Sequence, residues 1–203
     1  MDGSRRTGFY QQTGKRILDV MMAVLLLFVF AIPFFLILLI YLFIPGYSPF
    51  FIQERIGFRE QTFRLIKFRT LIHDATLPLQ ERRFFFGDML RFTNLDEIPQ
   101  LINILRGEMS FIGPRPLPLE YLSLYSEEQR KRHTIRPGIT GWAQVNGRHS
   151  IPWEDKFSLD IYYVNHISMG LDLTIFFKTI VLLLSFRKDH SLNEQKFTGN
   201  KNA

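Results

Sequence analysis

Val20 to Ile44 reads VMMAVLLLFVFAIPFFLILLIYLFI, with no charged residue, one proline (Pro33) and Tyr41 as its only polar side chain. About 25 apolar residues make a helix of roughly 37 Å, enough for a hydrocarbon core of about 30 Å. The apolar part is too long for a signal peptide, and no small-x-small cleavage site follows it. The segment is therefore expected to enter a bilayer. Pro33 sits near its middle, where it removes one backbone hydrogen bond and clashes with the carbonyl of Val29. The run holds no Ser or Thr to satisfy that carbonyl locally. Each arm is then only half a bilayer long.

The flanks bear on topology. Arg5, Arg6, Lys15 and Arg16 precede the run, and Arg55, Arg59, Arg64, Lys67 and Arg69 follow it. Both ends are drawn toward the cytoplasm by the positive-inside rule. A re-entrant helix bent at Pro33 satisfies both observations; a proline-kinked span is the alternative. Asp19, at the edge of the run, has Lys15 and Arg16 one helical turn away as expected partners.

Composition sets the outer limits. The 203 residues are 46% hydrophobic and include 21 Phe, too apolar for a disordered chain. The length fits one ordinary domain with a short appendage. A net charge of +6 suits nucleic acid, anionic lipid or phosphate-bearing substrates alike. The absence of Cys excludes disulfides and thiol catalysis.

Beyond the run, Pro45, Gly46 and Pro49 mark its exit. Phe50 to Lys67 suggests short strands or a hairpin turning at Gly57. His73 to Arg83 is polar, helix or loop. Asn94-x-x-Glu97 matches a capping box for a helix starting near Leu95, carrying Ile98, Leu101, Ile102 and Leu105, and ending at Gly107. Gly113-Pro114-Arg115-Pro116 predicts a rigid loop. Ser126-x-x-Gln129 opens a helix stopped by Pro137-Gly138, and Trp153, Phe157, Ile161 and Val164 mark one face of another. Leu173 to Phe186, closed by Arg187-Lys188, suits either a helix in the head-group layer or a core helix. The fold class is α+β, dominated by helix with minor β-structure.

Asp96-Glu97 is the most informative pair for chemistry. Adjacent helical carboxylates point roughly 100° apart, so they can do two jobs at one site. One could attack phosphorus as a nucleophile and the other could hold Mg²⁺. An ordinary capped helix is the plain alternative. Lys67, Arg69, Arg91, Arg115 and Arg148 stand in short Gly-, Pro- or Phe-marked segments, where cations would serve diphosphate chemistry. Gly138, Gly141 and Gly147 imply close backbone approach, to another segment or to a ligand. His133, His149 and His166 are isolated.

In order along the chain, these residues resemble the bacterial sugar transferases, the small monotopic phosphoglycosyl transferases. The resemblance runs through Lys15-Arg16-x-x-Asp19, Pro49-Phe50-Phe51-x-Gln53-x-Arg55-x-Gly57 and Lys67-Phe68-Arg69-Thr70. It continues through Leu95-Asp96-Glu97-Ile98-Pro99-Gln100-Leu101 with Asn103, Gly107-Glu108-Met109-Ser110 and Gly113-Pro114-Arg115-Pro116. Arg136 to Arg148, Asp160, Tyr163 and Asp172 complete it. Ile32, Leu71, Asn94 and His149 depart from residues common in the family.

The resemblance implies a membrane-anchoring re-entrant helix at 1–45 and a cytosolic catalytic domain at 46–203 with interfacial amphipathic helices, on the bacterial inner membrane. It implies transfer of a phosphosugar from a UDP-sugar, an N-acetylated amino sugar by family habit, to undecaprenyl phosphate. Asp96 would form a covalent phosphosugar intermediate and Glu97 would bind Mg²⁺. Lys67, Arg91, Arg115 and Arg148 would grip phosphates or nucleotide, with Asp172 in the same pocket. The competing classes are a non-catalytic membrane-tethered scaffold for nucleotide or lipid phosphate, and a nucleic-acid binder. The carboxylate pair argues against the first. The membrane run and the lack of a recognition motif argue against the second.

Overall fold

The computed structural model describes residues 8–44, 48–74, 76–147, 151–185 and 196–199. Expectations on Arg5, Arg6, Pro45, Gly46, Arg148, His149, Phe186, Arg187 and Lys188 fall outside these. A π-helical turn, Tyr10–Gly14, leads into α1 (Lys15–Val29) and α2 (Ala31–Leu42). A hairpin follows, β1 (Phe50–Ile56) and β2 (Thr62–Phe68), then α3 (Phe85–Thr93) and α4 (Gln100–Arg106). The second half holds β3 (Ser110–Ile112), α5 (Glu127–Arg130), β4 (Gly138–Thr140), α6 (Trp142–Asn146), α7 (Trp153–Asn165) and α8 (Met169–Leu184). Helix dominates, as expected, with two small two-stranded sheets among the described residues.

The apolar run is a bent pair: α1 with its leading turn meets α2 at 58°. No single helix among the described residues is long and apolar enough to cross a membrane. The bend does not fall at Pro33 but at Phe30, where φ −91° and ψ 8° leave the helix. Pro33 then occupies the first turn of α2, where an N–H has no intrahelical partner and its loss is harmless. Breaking the helix one turn upstream also avoids the clash with Val29. Helical bonds continue on either side, Phe30 N–H to Leu26 O at 2.8 Å and Phe34 N–H to Phe30 O at 2.9 Å.

Both ends of the pair fasten to the same body. Arg16 donates to the carbonyls of Ile104 (2.7 Å) and Leu105 (3.1 Å) at the end of α4. Asp19 is buried, accepts from the Phe111 N–H at 3.1 Å and stands within electrostatic reach of Arg16, one of its two expected partners. At the far end, the Tyr41 hydroxyl donates to Arg69 O. Ala23 and Ile37 join Phe63, Leu65, Phe68, Leu101 and Ile104 in one core, while Phe28 at the elbow stays 82% exposed. The bent pair is thus packed into the rest of the chain along its inner side and bare along its outer one.

The hairpin forms as expected, in antiparallel register from Phe50↔Phe68 to Ile56↔Thr62. Gly57 begins a tight connection in which Arg59 and Glu60 take positive φ. The described part of 73–83 is loop, closed by a Leu71↔Arg83 bridge. The capping box at Asn94 is absent. Asn94 is left-handed (φ 56°) and ends α3, and a 3₁₀ turn over Leu95–Glu97 precedes α4. An N-cap needs extended backbone, which a residue closing the previous helix cannot supply. Gly107 (φ 82°) ends α4 as expected. The Ser126–Gln129 capping box forms and starts α5.

Strands β3 and β4 pair in parallel through Ser110↔Gly138 and Ile112↔Thr140. A Cβ on Gly138 would lie 2.1 Å from Gly113 N, and one on Gly141 2.1 Å from Gly113 O. These glycines therefore serve approach to another segment. The buried face of α7 is Lys156, Phe157, Asp160 and Tyr163, offset from the apolar face expected, because Asp160 is held by Arg132 and Tyr163 donates to Ile112 O and Asp172. Helix α8 buries Ile175 but exposes Phe177, Val181 and Leu184, which overturns the core-helix alternative.

Candidate active site

A cavity of about 1320 Å³ opens between the bent pair, the hairpin, α3 and the start of α8's last turns. Each polar group on its wall is delivered by a local rule. Lys67 and Arg69 come from the end of β2, and Lys67 Nζ meets Glu97 Oε1 at 2.5 Å. Arg69 donates to Ser48 O and Phe50 O, both at 3.0 Å, so it also stitches the chain that follows α2 to β1. Arg91 rides on α3, its Nε donating to Thr70 Oγ1 at 2.6 Å. Gly87 permits that approach, since a Cβ there would stand 2.5 Å from Thr70 O.

Asp96 sits in the 3₁₀ turn with only 9% of its surface exposed, and lines the cavity together with Glu97. Arg115 comes from the loop after β3. Its carbonyl accepts from Arg132 Nη2 at 2.8 Å, and Arg132 is held by Asp160 Oδ2 at 2.6 Å. Both side chains of that pair are buried, and Arg132 packs over the Phe157 ring at 5.5 Å. Burial pushes the Asp160 carboxyl up, with Arg132 pulling it back.

Lys67, Arg69, Arg91, Asp96, Glu97 and Arg115 are thus gathered in one cavity, and Arg148 lies outside the described residues. Asp172 stands elsewhere. It accepts from Tyr10 (2.6 Å), Lys15 (2.7 Å) and Tyr163 (2.7 Å), a buried clasp joining the start of the chain to α7 and α8. Burial and the Asp172 charge raise the Tyr163 hydroxyl pKa, so it remains a donor.

Sequence reasoning missed Arg132, Lys156 and Arg82 on the cavity wall. Arg132 lies in the run Arg130-Lys131-Arg132-His133, which reads as a solvated charged face. Only its partner 28 positions on betrays it.

Eight lining residues are Lys or Arg and three are Asp or Glu, so the cavity favours an anion. Part of its wall is apolar, formed by Leu26, Phe30, Phe111, Ile139, Leu182 and Leu183. Among the described residues no three His, Cys, Asp or Glu side chains cluster as a metal site. Mg²⁺ in phosphate enzymes needs one or two carboxylates beside substrate oxygens, and Asp96 with Glu97 fits that donor set. The arrangement can hold a phosphate against a buried carboxylate and seat an apolar group beside it.

Comparison with known proteins agrees. The family model described as "Bacterial sugar transferase" matches residues 10–186. The "Uncharacterized sugar transferase EpsL" of Bacillus subtilis is 39% identical over 194 residues, covering 92% of this chain and 96% of that protein. The "Exopolysaccharide production protein ExoY" of Sinorhizobium fredii is 36% identical over 210 residues, covering 87% and 93%. A UDP-N-acetylgalactosamine-undecaprenyl-phosphate N-acetylgalactosaminephosphotransferase of Aeromonas hydrophila is 36% identical over 189 residues, covering 84% of this chain and 44% of that longer protein. With the cation-lined carboxylate pair in place, the chain belongs to the bacterial sugar transferases and has the general sugar-phosphate transfer function of that family.

Proposed function

We propose that the chain transfers a phosphosugar from a UDP-sugar to undecaprenyl phosphate in two displacements at Asp96. The observation that carries this reading is a buried carboxylate, Asp96, on the wall of a cavity with a surplus of cations. In the first step an Asp96 oxygen bonds to the sugar-bearing phosphorus and the bond to the UMP oxygen breaks, so UMP leaves with that electron pair. In the second, an oxygen of the lipid phosphate bonds to the same phosphorus and Asp96 departs as carboxylate. Lys67, Arg91 and Arg115 hold the phosphates, where charge on non-bridging oxygens must be balanced. Arg69 stands beside them. Glu97, oriented by Lys67, is the carboxylate that would hold Mg²⁺, which when bound neutralises phosphate charge.

The apolar part of the cavity wall suits the lipid side of the acceptor. The Aeromonas relative's name, carrying both a UDP-sugar and undecaprenyl phosphate, supports the substrate classes, with an N-acetylated amino sugar as the expected donor. The membrane reading is re-entrant, with 1–45 as anchor and 46–203 as a catalytic domain on the cytoplasmic face of the bacterial inner membrane. It is supported by the fastening of both helix ends to one body, and the exposed apolar side of α8 suits a membrane surface.

The chemical test is UMP release. Without lipid acceptor, the chain is expected to release about one UMP per active site and then stop, and Asp96→Asn to release none. Full lipid-dependent turnover by Asp96→Asn would refute the two-step reading. For topology, the Cys-free chain allows single Cys at Arg5 or Gln53. Both are expected to label from the cytoplasmic side, and labelling from opposite sides would mean a span.

A further inference from the structure

Strand β1 ends against the loop that carries Arg115. Ile56 N–H donates to Leu117 O at 3.0 Å, and Arg55 bridges to Pro118. Arg55 Nη1 donates to Pro116 O at 3.3 Å. This register brings the guanidinium groups of Arg55 and Arg115 to one wall of the catalytic cavity. Some enclosed cations of the chain pair with carboxylates, Lys15 with Asp172, Lys67 with Glu97 and Arg132 with Asp160, while Arg16 and Arg69 donate to backbone carbonyls. Arg55 is of the second kind. Its contacts among the described residues are Gln53 Oε1 at 2.6 Å and the Pro116 carbonyl, both neutral, and its Nε is enclosed without a hydrogen-bond partner.

Burial first, then the charge of Arg115, draws the Arg55 pKa down to about 10, against Tyr121, Glu120 and Tyr125, which pull it up. Two like charges withdrawn together from water are unfavourable unless a counter-charge arrives. Among the described residues Arg55 makes no ion pair with a carboxylate, and Glu120 reaches it only through space. A planar guanidinium donates best to paired oxygens, such as those of a phosphate.

We infer that Arg55 is a phosphate-binding residue of this cavity, acting with Arg115 on the non-bridging oxygens of either the donor diphosphate or the acceptor phosphate. The inference rests on the reading of the cavity as a phosphosugar-transfer site. It predicts an uncommon signature: removing Arg55 relieves repulsion in the empty protein and weakens only the loaded one.

The test uses the full chain in detergent, with Arg55→Gln, Arg55→Lys, and Lys131→Gln as a charge-matched control on an exposed ion pair. Thermal midpoints are measured alone, with UDP, and with a short-chain polyprenyl phosphate. Half-saturation by UDP-sugar is read from UMP release. Arg55→Gln is expected to melt no lower than the native chain alone. It is expected to lose stabilisation by UDP if the donor is the ligand, or by the lipid phosphate if the acceptor is. Where the donor is the ligand, half-saturation should rise roughly ten- to hundredfold. Arg55→Lys should keep part of the shift, and Lys131→Gln all of it. An Arg55→Gln protein that melts lower yet keeps both ligand shifts would make Arg55 a structural strut. A native chain stabilised by neither ligand would also overturn the inference. Failure of the transfer reading looks different: UDP shifts that depend on Arg55, with no UMP released by the native chain.

Discussion

Two parts of the cavity wall, the Arg132–Asp160 pair behind the Arg115 backbone and the cluster in front of it, use the same residue types and dispose of their charge differently. Behind, Arg132 and Asp160 meet at 2.6 Å, nearly dry, under the rings of Tyr125 and Phe157. Phe197 packs on the far side of Phe157 at 5.0 Å, only 4% exposed. In front, Lys67, Arg69, Arg91, Arg55 and Arg115 gather around two carboxylates. Charge matched within the chain fixes geometry, while surplus charge on a concave wall recruits a ligand. The first part gives Arg115 its place; the second gives it a purpose.

The sharpest way to break this contrast is Arg132→Met. It strands Asp160 in a dry site and should cost about 3–5 kcal/mol of stability, read from denaturant unfolding. The double change Arg132→Met with Asp160→Leu should recover most of that stability but not the UMP release, because the Arg115 carbonyl still lacks its donor. Lys67→Met should do the reverse. Its ion pair is partly exposed, so stability should change by about 1 kcal/mol or less, while UMP release falls by about a hundredfold.

Phe197→Ala, which empties a place in the cluster of Ile56, Leu117, Tyr121, Tyr125 and Phe157, is expected to lower the thermal midpoint by several degrees while UMP release persists. An unchanged midpoint would put Phe197 outside the working core. The smallest effect concerns His133, packed at a tilt against Tyr125 with ring centroids 5.2 Å apart. Burial, then Arg132 and Arg130, hold its pKa down to about 3. The unfolded value is near 6.5, so the stability from keeping it neutral is fully present above pH 6.5 and is lost as pH falls toward 3. His133→Gln should therefore flatten the acid side of the melting curve by a few degrees.

What the sequence disclosed and what it hid follow range. Local rules were legible: the Ser126–Gln129 box, the hairpin at Gly57 and the helix stop at Gly107 all form. The break in the apolar run was legible too, although its place was not, because a proline transmits its clash to the turn before it. The gathering of Lys67, Arg91, Asp96, Glu97 and Arg115 was readable only as a pattern of cations in marked segments. The rest depended on distant partners. Asp172 is fixed by Lys15, 157 positions away, and Asp19 by Phe111, 92 positions away. Asn94 misled because one residue serves two helices, and its left-handed backbone forbids the cap its side chain suggests.

The most direct test is peptide mapping by mass spectrometry after incubation with Mg²⁺ and a panel of UDP-sugars, without lipid. The account predicts a phosphosugar mass on the peptide containing Asp96, removed on adding polyprenyl phosphate and absent from Asp96→Asn. An unmodified Asp96 peptide in a preparation that nonetheless turns over with lipid would contradict it.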